Sequence, residues 1–593
     1  MIDEILSGIM KPGRYIGNEW NVSVKPFDQA QVKFALCFPD LYEVGMSNLG
    51  IRILYGILNN LPQVVCERFF SVASDLEEKL RSRKEEIFSL ESRRRLKEFD
   101  LVGFSLGHEL LYTNVLNVLD LGAIPLLAES RGKDFPLVIG GGPCVLNPEP
   151  LADFFDLFII GEAEEALAEL VSVFSQFKND FKSGKISKED LLRQFMRIEG
   201  VYVPAFYEVS YSGEGKVSAF TAKNGAPAKI KKRIVEDLEN SYFPAKWLVP
   251  YIQIVHDRVT LEITRGCPNR CRFCQARQQY YPLRVRSPQK AFSLAQEAYS
   301  ASGYEEFALA GLSMSDYPGI ADLAQKMIEY FKPMGVSVSL PSIKPKNLVG
   351  GLSSLIASVK KTGLTFAPEA ASERLRNILG KDFSGEEFFR GLEESFQAGY
   401  QHVKLYFMIG IPFEEDKDLD ALVDLAVAVS NLRKKIKQPA AGVNLSINTL
   451  IPKPFTAFQW FGMAGREEIQ RKQDYLKSKI YRHKKIKVNF HNLKMSYLEG
   501  IFSRGDRRLG KVIRQAFLSG CRFDAWDEHL KFEQWEEAFR KTGVDPDFYL
   551  RQKSPDETLA WDFLDSGVPK QALVEEFKKT IALQQDKEYN FFK

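Results

Sequence analysis

Cysteine, histidine and long hydrophobic runs are scarce in this sequence. It has 7 cysteines and 6 histidines among 593 residues, and three of the cysteines share one short segment. This usage excludes the paired disulfide framework of a small secreted protein. No apolar run approaches the ~20 residues that are needed to cross a bilayer. The amino terminus lacks the basic stretch and apolar core of a secretion signal. We therefore expect a cytoplasmic protein that is not inserted in a membrane.

An excess of charge of either sign is also absent. The 80 basic and 77 acidic residues leave a formal net charge of +3, so the composition indicates neither nucleic-acid binding nor attraction to a membrane surface. Hydrophobic residues make up 45% and charged residues 26% of the chain, which is typical of a folded globular protein. A chain of this length is too long for one hydrophobic core, and we expect about three or four domains.

The first part of the chain, residues 1–180, alternates short apolar segments with longer helical ones. Four segments have strand character, and each is followed by glycine, proline or a polar turn: Val32–Phe38, Leu101–Ser105, Leu137–Gly140 and Leu157–Ile160. This alternation predicts an α/β fold with a doubly wound, Rossmann-like sheet. Ligands of such sheets bind beyond the carboxyl ends of the strands.

The rest of the chain divides into three parts. Residues 181–250 predict a connector with a charged helix and a hairpin that begins at Phe206–Tyr211. Residues 251–480 predict a second βα series, a partial TIM-like (β/α)6 barrel, and residues 481–593 predict a mainly helical region. The barrel strands are expected at Val259–Thr264, Glu306–Ala310, Val336–Leu340, Leu364–Ala367, Val403–Ile409 and Val443–Leu450.

The three clustered cysteines, Cys267, Cys271 and Cys274, are the strongest signal for chemistry. Their CxxxCxxC spacing supplies three thiolates from one loop, which suits three irons of a cubic 4Fe–4S cluster and leaves the fourth iron open. A structural zinc site would need a fourth ligand, yet the nearest histidine, His256, lies upstream near the preceding strand. A closed electron-transfer cluster would need a fourth cysteine. The other four are scattered singly and are expected in the core: Cys37, Cys66, Cys144 and Cys521.

With Phe273 before its last cysteine, this segment resembles the signature of the radical S-adenosylmethionine (SAM) enzymes. The resemblance implies that SAM chelates the open iron and that one electron from the cluster releases a 5′-deoxyadenosyl radical. It also implies an electron donor such as flavodoxin or ferredoxin. It further implies SAM contacts near the barrel strand ends, at Phe273, Gly311, Ser313, Ser339, Ser342, Glu369, Arg374 and Ile411.

The amino-terminal part resembles the cobalamin-binding domains that precede some radical SAM barrels. Asp40, Tyr42 and Gly45 stand where those domains carry a DxHxxG motif, so the resemblance implies a cobalt without the usual histidine ligand. Other positions implied to contact cobalamin are Ser105, Gly140, Gly141, Gly142 and Gly161. A fold that is retained for a partner or a substrate is the alternative at these positions.

The whole chain resembles a poorly characterised subgroup of B12-binding radical SAM proteins. Further motifs that carry this resemblance are Pro12–Gly17, Glu43–Gly50, Phe366–Glu373, Lys404–Pro412 and Ser503–Arg508. It implies a cobalamin-dependent methyl transfer to an unactivated carbon, and it names neither the substrate nor a catalytic residue. Alternatives are a radical cyclase or rearrangement enzyme, a methylthiotransferase with a second cluster on Cys37, Cys66 and Cys144, and a catalytically silent iron–sulfur binding protein.

Overall fold

The computed structural model describes residues 2–339, 364–381 and 384–585. Its first unit is a sheet with strands β1 (Val32–Phe38), β2 (Val64–Phe70), β3 (Leu101–Ser105), β4 (Leu137–Gly141), β5 (Leu157–Ile159) and β6 (Val201–Tyr202). The strand order is β2-β1-β3-β4-β5-β6, with β1 to β5 parallel and β6 antiparallel to β5. Because β2 and β3 lie on opposite sides of β1, the sheet has a switch point there, where ligands of doubly wound sheets bind.

The predicted doubly wound sheet is confirmed, but β2 is not among the strands that the sequence predicts. The segment Val64–Phe70 contains Glu67 and Arg68, which interrupt its apolar pattern. Arg68 is nevertheless buried, because its guanidinium pairs with Glu19 at 2.7 Å and with Glu91 at 2.6 Å. A buried charge is tolerated in a sheet when such partners compensate it, and a single-sequence pattern does not reveal partners from elsewhere in the chain.

The helices of this unit cover both faces of the sheet. They are α1 (Ile2–Leu6), α2 (Tyr42–Gly45), α3 (Leu49–Asn60), α4 (Ser74–Arg83), α5 (Tyr112–Leu121), α6 (Glu164–Ser183) and α7 (Lys188–Phe195). Helix α6 passes residue 180, and β6 comes from residues 201–202. The sheet domain therefore takes elements from the segment that the sequence analysis assigns to the connector.

The predicted hairpin of the connector is confirmed. Strands β7 (Tyr207–Tyr211) and β8 (Val217–Ala222) are antiparallel. After them, β9 (Ile230–Lys231) pairs with a strand of the C-terminal region, Leu564–Asp565. The connector is thus joined to the C-terminal region by backbone hydrogen bonds.

The second unit contains parallel strands in a βα series. Its strands are β10 (Val259–Glu262), β11 (Thr264–Arg265), β12 (Arg284–Val285), β13 (Glu306–Ala310), β14 (Ser337–Ser339), β15 (Leu364–Glu369), β16 (His402–Ile409), β17 (Gly442–Thr449) and β18 (Ile486–Phe490). Within the described residues, β10-β13-β14 and β15-β16-β17-β18 form two parallel sheets, and β11 pairs with β12 in antiparallel fashion. The sequence predicts six of the parallel strands, and β18 adds one from the region assigned to the C-terminal part.

Helices alternate with these strands and continue into the C-terminal region. They are α8 (Gln275–Gln279), α9 (Pro288–Ser302), α10 (Ile320–Phe331), α11 (Glu373–Leu379), α12 (Gly385–Gln397), α13 (Asp416–Leu432), α14 (Arg466–Ile480), α15 (Leu493–Arg504), α16 (Leu509–Leu518), α17 (Phe532–Thr542), α18 (Asp547–Leu550) and α19 (Lys570–Gln585). Among the helices of the described residues, none combines the length and apolar character that crossing a membrane requires.

The C-terminal region packs against both other units. Asp524 accepts a hydrogen bond from Thr113 in the sheet domain at 2.6 Å. Glu576 on α19 accepts one from Arg272, within the cysteine segment, at 2.7 Å. The hydrophobic core of the sheet domain continues into this region, with residues such as Trp535 fully buried. The C-terminal helices therefore hold the sheet domain and the barrel together.

Candidate functional site

The three cysteines of the predicted cluster motif lie on the loop between β11 and α8. Cys267 follows β11 by two residues, and Cys274 is the residue at the N-cap of α8. The Cys274 N–H donates to the Cys271 carbonyl oxygen at 3.2 Å, which turns the segment back on itself. All three are half-buried free thiols. Three thiols on one short loop fit a 4Fe–4S cluster that keeps one iron open.

Burial and a nearby positive charge have opposite effects on the pKa values of these thiols. Burial raises the pKa of the Cys271 thiol to about 11, while the Lys381 ammonium acts in the opposite direction. Burial also raises the pKa of Cys274. The Cys267 Sγ lies 3.2 Å from the Asn269 amide nitrogen, which donates to it. Since metal ligands must be thiolates, binding of iron here is coupled to the release of protons.

Three hydrogen-bonded polar residues lie in or beside the loop, and one of them is an acidic residue that the sequence analysis missed. The Asn269 amide nitrogen lies 3.2 Å from Ser313 Oγ and 3.2 Å from Asp316 Oδ2. Ser313 Oγ donates to the same Asp316 oxygen at 2.6 Å. Asp316 ends a short 3-10 helix after β13, just beyond Gly311 and Ser313, which the resemblance implies as SAM contacts. The sequence analysis considered only those two residues in this segment, although an acidic residue after a predicted strand was a visible signal.

A second acidic residue, Glu369, ends β15 in a strained conformation. Its φ of 67° lies in the left-handed region, at a break in the pairing between β15 and β16. Burial raises the pKa of Glu369, although Lys381, 3.5 Å away, lowers it. Strain of this kind in a non-glycine residue is enriched at functional sites. Because Lys381 also acts on Cys271, Glu369 lies near the cysteine loop. The contact of Glu369 with SAM stays a prediction, and Lys381 is an additional candidate.

Arg374, predicted to bind the SAM carboxylate, has protein partners in the structure. Its guanidinium pairs with the Asp418 carboxylate and donates to the Phe413 carbonyl oxygen at 3.0 Å. Both partners belong to the segment that follows β16. The contact of Arg374 with SAM stays a prediction. It would require this guanidinium to bind the SAM carboxylate as well as Asp418.

The remaining predicted SAM contacts are spread around the same end of the barrel. Ile411 is buried in the main hydrophobic core, and Phe273 packs against that core. Gly311 is required where it stands, because a Cβ there would lie 2.4 Å from Thr264 Oγ1. Ser339 is the last residue of β14. Ser342 lies outside the described residues.

A cavity of about 530 Å³ lies between the sheet domain and the barrel. One wall is formed by the middle of β1 and the carboxyl ends of β3, β4 and β5, and the other by barrel residues such as Thr264 and Gly311. The predicted cobalamin contacts in its wall are Ser105, Gly140, Gly141, Gly142 and Gly161. The structure therefore brings five predicted cobalamin contacts and one predicted SAM contact to the same space.

Two glycines are open to this cavity, whereas others are required by packing. A Cβ added at Gly107 would meet no atom within 4 Å, and one at Gly141 would meet only a backbone oxygen at 4.0 Å. In contrast, a Cβ at Gly140 would lie 2.5 Å from the Phe158 ring, and Gly142 adopts a φ of 105°. Gly107 and Gly141 thus leave room that a ligand would fill.

Two polar atoms of residues in the barrel wall of the cavity have no hydrogen-bond partner among the described residues. They are Thr264 Oγ1 and Gln279 Oε1, and both are buried. Buried polar groups without partners are uncommon and call for a bound water, ion or ligand. A ligand that carries hydrogen-bonding groups on a large apolar body fits this wall, and cobalamin, with its peripheral amides, has that chemistry.

Asp40, Tyr42 and Gly45 lie in the packed interior instead of lining the cavity. The Tyr42 side chain is 2% exposed, and its hydroxyl donates to Glu19 Oε1 at 2.9 Å. Asp40 accepts from the indole N–H of a tryptophan in the C-terminal region at 3.0 Å. A Cβ at Gly45 would lie 2.2 Å from a phenylalanine ring of β2. Their side chains are therefore explained by packing, and the pattern match at these positions does not identify cavity residues.

A largely buried charged cluster near the cysteine loop also escaped the sequence analysis. Lys453 Nζ lies 2.6 Å from Glu109 Oε1 and 2.8 Å from Glu499 Oε1, and Glu499 Oε2 lies 3.2 Å from His108 Nε2. Despite its burial, Lys453 and His108 hold the pKa of Glu499 below its usual range. The residue after Lys453 accepts from the Gln275 amide, next to Cys274, at 3.4 Å. The members of this charged cluster come from the sheet domain, the barrel and the C-terminal region. No pattern of residues that are close in sequence therefore indicates the cluster.

Comparison with known proteins defines the class. Residues 50–204 match the family "Radical SAM proteins, N-terminal", and residues 261–426 match the "Radical SAM superfamily". The chain has the fold of TsrM, a radical S-adenosylmethionine methyltransferase from Kitasatospora setae, solved with cobalamin and a 4Fe–4S cluster bound. The TM-score is 0.50 at 12% identity, over 86% of this chain and 99% of TsrM.

Two curated relatives extend the comparison. The chain is 30% identical to the uncharacterized protein MJ0966 of Methanocaldococcus jannaschii over 484 residues. The alignment covers 81% of this chain and 90% of the relative. It is 23% identical over 284 residues to the ribosomal protein uS12 methylthiotransferase RimO of Desulfotalea psychrophila, 44% of this chain and 60% of RimO. The protein is a radical SAM protein and belongs to one family with the Methanocaldococcus protein.

Proposed function

We propose that this protein is a cobalamin-dependent radical SAM enzyme that transfers a methyl group to an unactivated carbon. When bound, the 4Fe–4S cluster supplies the electron that cleaves SAM, and cobalamin carries the methyl group. The observation that carries the proposal is the single cavity that joins Gly107 and Gly141 of the sheet domain to Thr264 and Gly311 of the barrel. It provides adjoining space for the two organic cofactors.

The residues of the chain have separate roles in this proposal. Cys267, Cys271 and Cys274 hold the cluster. Asp316 and Glu369 are the acidic groups next to the loop, and we assign them to the ammonium or ribose of SAM, since a carboxylate accepts from both. The unpaired wall atoms described above are assigned to the amides of cobalamin.

Methyl transfer is preferred over the alternatives for two reasons. TsrM, which shares the fold, is a methyltransferase that holds both cobalamin and a 4Fe–4S cluster. The methylthiotransferase scheme would place a second cluster on Cys37, Cys66 and Cys144, but Cys37 and Cys66 are fully buried in the sheet. A low-potential donor such as flavodoxin or ferredoxin is part of the proposal, as is a cytoplasmic location, because free thiols and an open cluster require a reducing compartment.

The proposal is tested on anaerobically purified, full-length protein reconstituted with iron, sulfide and hydroxocobalamin. Iron and cobalt are measured, and the protein is then incubated with SAM and a reductant. We expect cobalt near one equivalent per chain and 5′-deoxyadenosine well above the amount formed by cluster-free protein. Equal amounts with and without the cluster would remove the enzyme assignment, and iron without cobalt would remove the cobalamin assignment alone.

A further inference from the structure

The loop that carries the cysteines is closed at its base by a short antiparallel pair of strands. Thr264 lies opposite Val285, and Arg265 lies opposite Arg284. Residues 266–283 therefore leave and return at the same place. Because Arg265 directly precedes this loop and Arg284 follows it, whatever holds these two guanidiniums sets the position of the loop relative to the rest of the protein.

One carboxylate of the sheet domain holds both of them. Glu162, just beyond β5, accepts from Arg284 Nη1 and Nη2, each at 2.7 Å, in a two-pronged pair. It also lies 3.1 Å from Arg265 Nη1. The backbone N–H of Val235 donates to it at 2.7 Å. A paired guanidinium–carboxylate contact of this kind is strong and directional.

The charges around Glu162 are buried and tightly connected. Arg265 also pairs with Glu164 at 2.7 Å and with Glu262 at 2.9 Å. Burial alone would raise the pKa of Glu162, but the hydrogen bonds from Arg284 and the charges of Arg265 and Arg284 hold it below its usual range. Glu162 is therefore ionised at neutral pH, and its interactions are little screened by solvent.

The same region anchors the loop a second time. Gly161 forms a bridge with Arg233. The neighbouring Lys232 is buried, and its ammonium donates to the Gln278 carbonyl oxygen at 2.7 Å and to the Tyr281 carbonyl oxygen at 3.1 Å. These carbonyls lie at the end of α8, within the cysteine loop, where a cation is favoured by the helix dipole.

These groups also form part of the cavity wall. Gly161, Glu162, Glu164, Glu262 and Arg265 all line it. A ligand in the cavity therefore contacts the residues that hold the two stems of the cysteine loop. The cavity and the loop share one set of buried ionic contacts.

We propose that Glu162 is a positioning residue that couples occupancy of the cavity to the conformation of the cysteine loop. A ligand that fills the cavity restrains Gly161 and Glu162, and through Arg265 and Arg284 it restrains residues 266–283, which hold the cluster. This inference rests on the proposed function, because it takes cobalamin as the ligand.

The test compares the reconstituted full-length wild type with Glu162→Gln, which keeps the size of the side chain and removes its charge. Glu165→Gln is the matched control, since Glu165 is half-exposed and pairs with Arg233 at the surface. Hydrogen exchange of peptides covering residues 266–283 is measured anaerobically with and without hydroxocobalamin. The SAM-induced change in the EPR spectrum of the reduced cluster is recorded in the same samples.

We expect hydroxocobalamin to slow exchange of these peptides several-fold in the wild type and in Glu165→Gln. We expect Glu162→Gln to bind hydroxocobalamin. In this variant the ligand should no longer slow hydrogen exchange of residues 266–283, and the SAM-induced change in the EPR spectrum should differ from that of the wild type. Slowing equal to wild type in Glu162→Gln would overturn the coupling and leave the proposed function intact. A wild type that retains no hydroxocobalamin by visible absorption would overturn the coupling together with the cobalamin assignment, and would leave the radical SAM enzyme assignment standing.

A second variant covers the case in which Glu162→Gln does not fold. Arg284→Lys keeps the positive charge and loses the two-pronged pair, because an ammonium does not reproduce the guanidinium geometry. We expect it to bind hydroxocobalamin with reduced slowing at residues 266–283. Full slowing in Arg284→Lys would contradict the positioning role.

Discussion

The loop after β1 and the loop after β11 both follow a strand and both match a motif of cofactor enzymes, but their side chains are used differently. In the first, Tyr42 and Gly45 are buried against other elements of the sheet domain. In the second, Cys267, Cys271 and Cys274 remain half-buried free thiols. The difference teaches two things. A motif residue whose hydrogen bonds and packing contacts are all made within the protein is explained by the fold. A motif residue whose side chain keeps a donor or metal-binding atom available is a candidate for ligand binding.

The same distinction divides the glycines of the sheet edge. Gly140 and Gly45 are needed because a ring occupies the place of their side chains. Gly107 and Gly141 face open space in the cavity or at its edge. The predictions below test this distinction, in order of decreasing expected effect.

Substituting a thiol of each kind should have opposite consequences. We expect Cys271→Ala to lose the iron–sulfur absorption and nearly all bound iron, because the cluster loses one of its three protein ligands. We expect Cys144→Ala to keep both, since the three cysteines of the motif already supply the protein ligands that a cluster with one open iron needs. Loss of iron in Cys144→Ala as well would revive the second-cluster scheme.

Breaking the buried charged cluster around Lys453 should cost the most stability. Lys453→Met leaves Glu109 and Glu499 without their cation, and we expect the free energy of unfolding to fall by about 3–5 kcal/mol. Lys479→Met is the control, because Lys479 pairs with Asp420 where both side chains are nearly half-exposed, and such a pair contributes about 0–1 kcal/mol. Denaturant unfolding of the two variants measures both values.

The pH dependence of the Lys453 effect has a defined sign. In the wild type the pKa of Glu499 lies below its ordinary value of 4.5, so its stabilising contribution is present above pH 4.5 and falls as the pH is lowered further. Without Lys453 the Glu499 carboxylate binds a proton more readily in the folded state. The difference between wild type and variant should therefore shrink below pH 4.5, and a constant difference would contradict this account.

The two kinds of glycine should separate stability from cofactor binding. We expect Gly140→Ala to lower stability by about 1–3 kcal/mol, because the added methyl group overlaps the Phe158 ring. We expect Gly141→Ala to change stability by less than about 0.5 kcal/mol but to lower the cobalt content after reconstitution. Thermal unfolding and metal analysis of the pair decide the point, and the reverse pattern would be evidence against the cavity assignment.

Among the substitutions of packed residues, Tyr42→Phe should have the smallest effect. The substitution removes the hydrogen bond to Glu19 and should cost about 1 kcal/mol of stability. Because the Tyr42 hydroxyl lies in the interior, the cobalt content and the visible spectrum of bound cobalamin should be unchanged. A shifted spectrum would place Tyr42 near the cobalt after all.

Much of the architecture was predictable because it follows from local patterns. The strands of the sheet domain and the barrel are short apolar runs of period two or nearly continuous apolar character, which a single sequence displays. The strand Val64–Phe70 was not predictable, because its buried Arg68 is compensated by Glu19 and Glu91 from elsewhere in the chain. The cysteine segment was predictable because its three thiols lie within one loop.

The candidate site was only partly predictable for the same reason. Asp316 and Lys381 approach the cysteine loop through contacts that the chain makes after folding. The sequence by itself determined the class of sheet, the barrel strands and the cluster loop, since these depend on residues that are neighbours along the chain. The tertiary structure alone decided which glycines face the cavity and which carboxylate holds the loop, because those roles depend on distances between residues that are far apart in sequence.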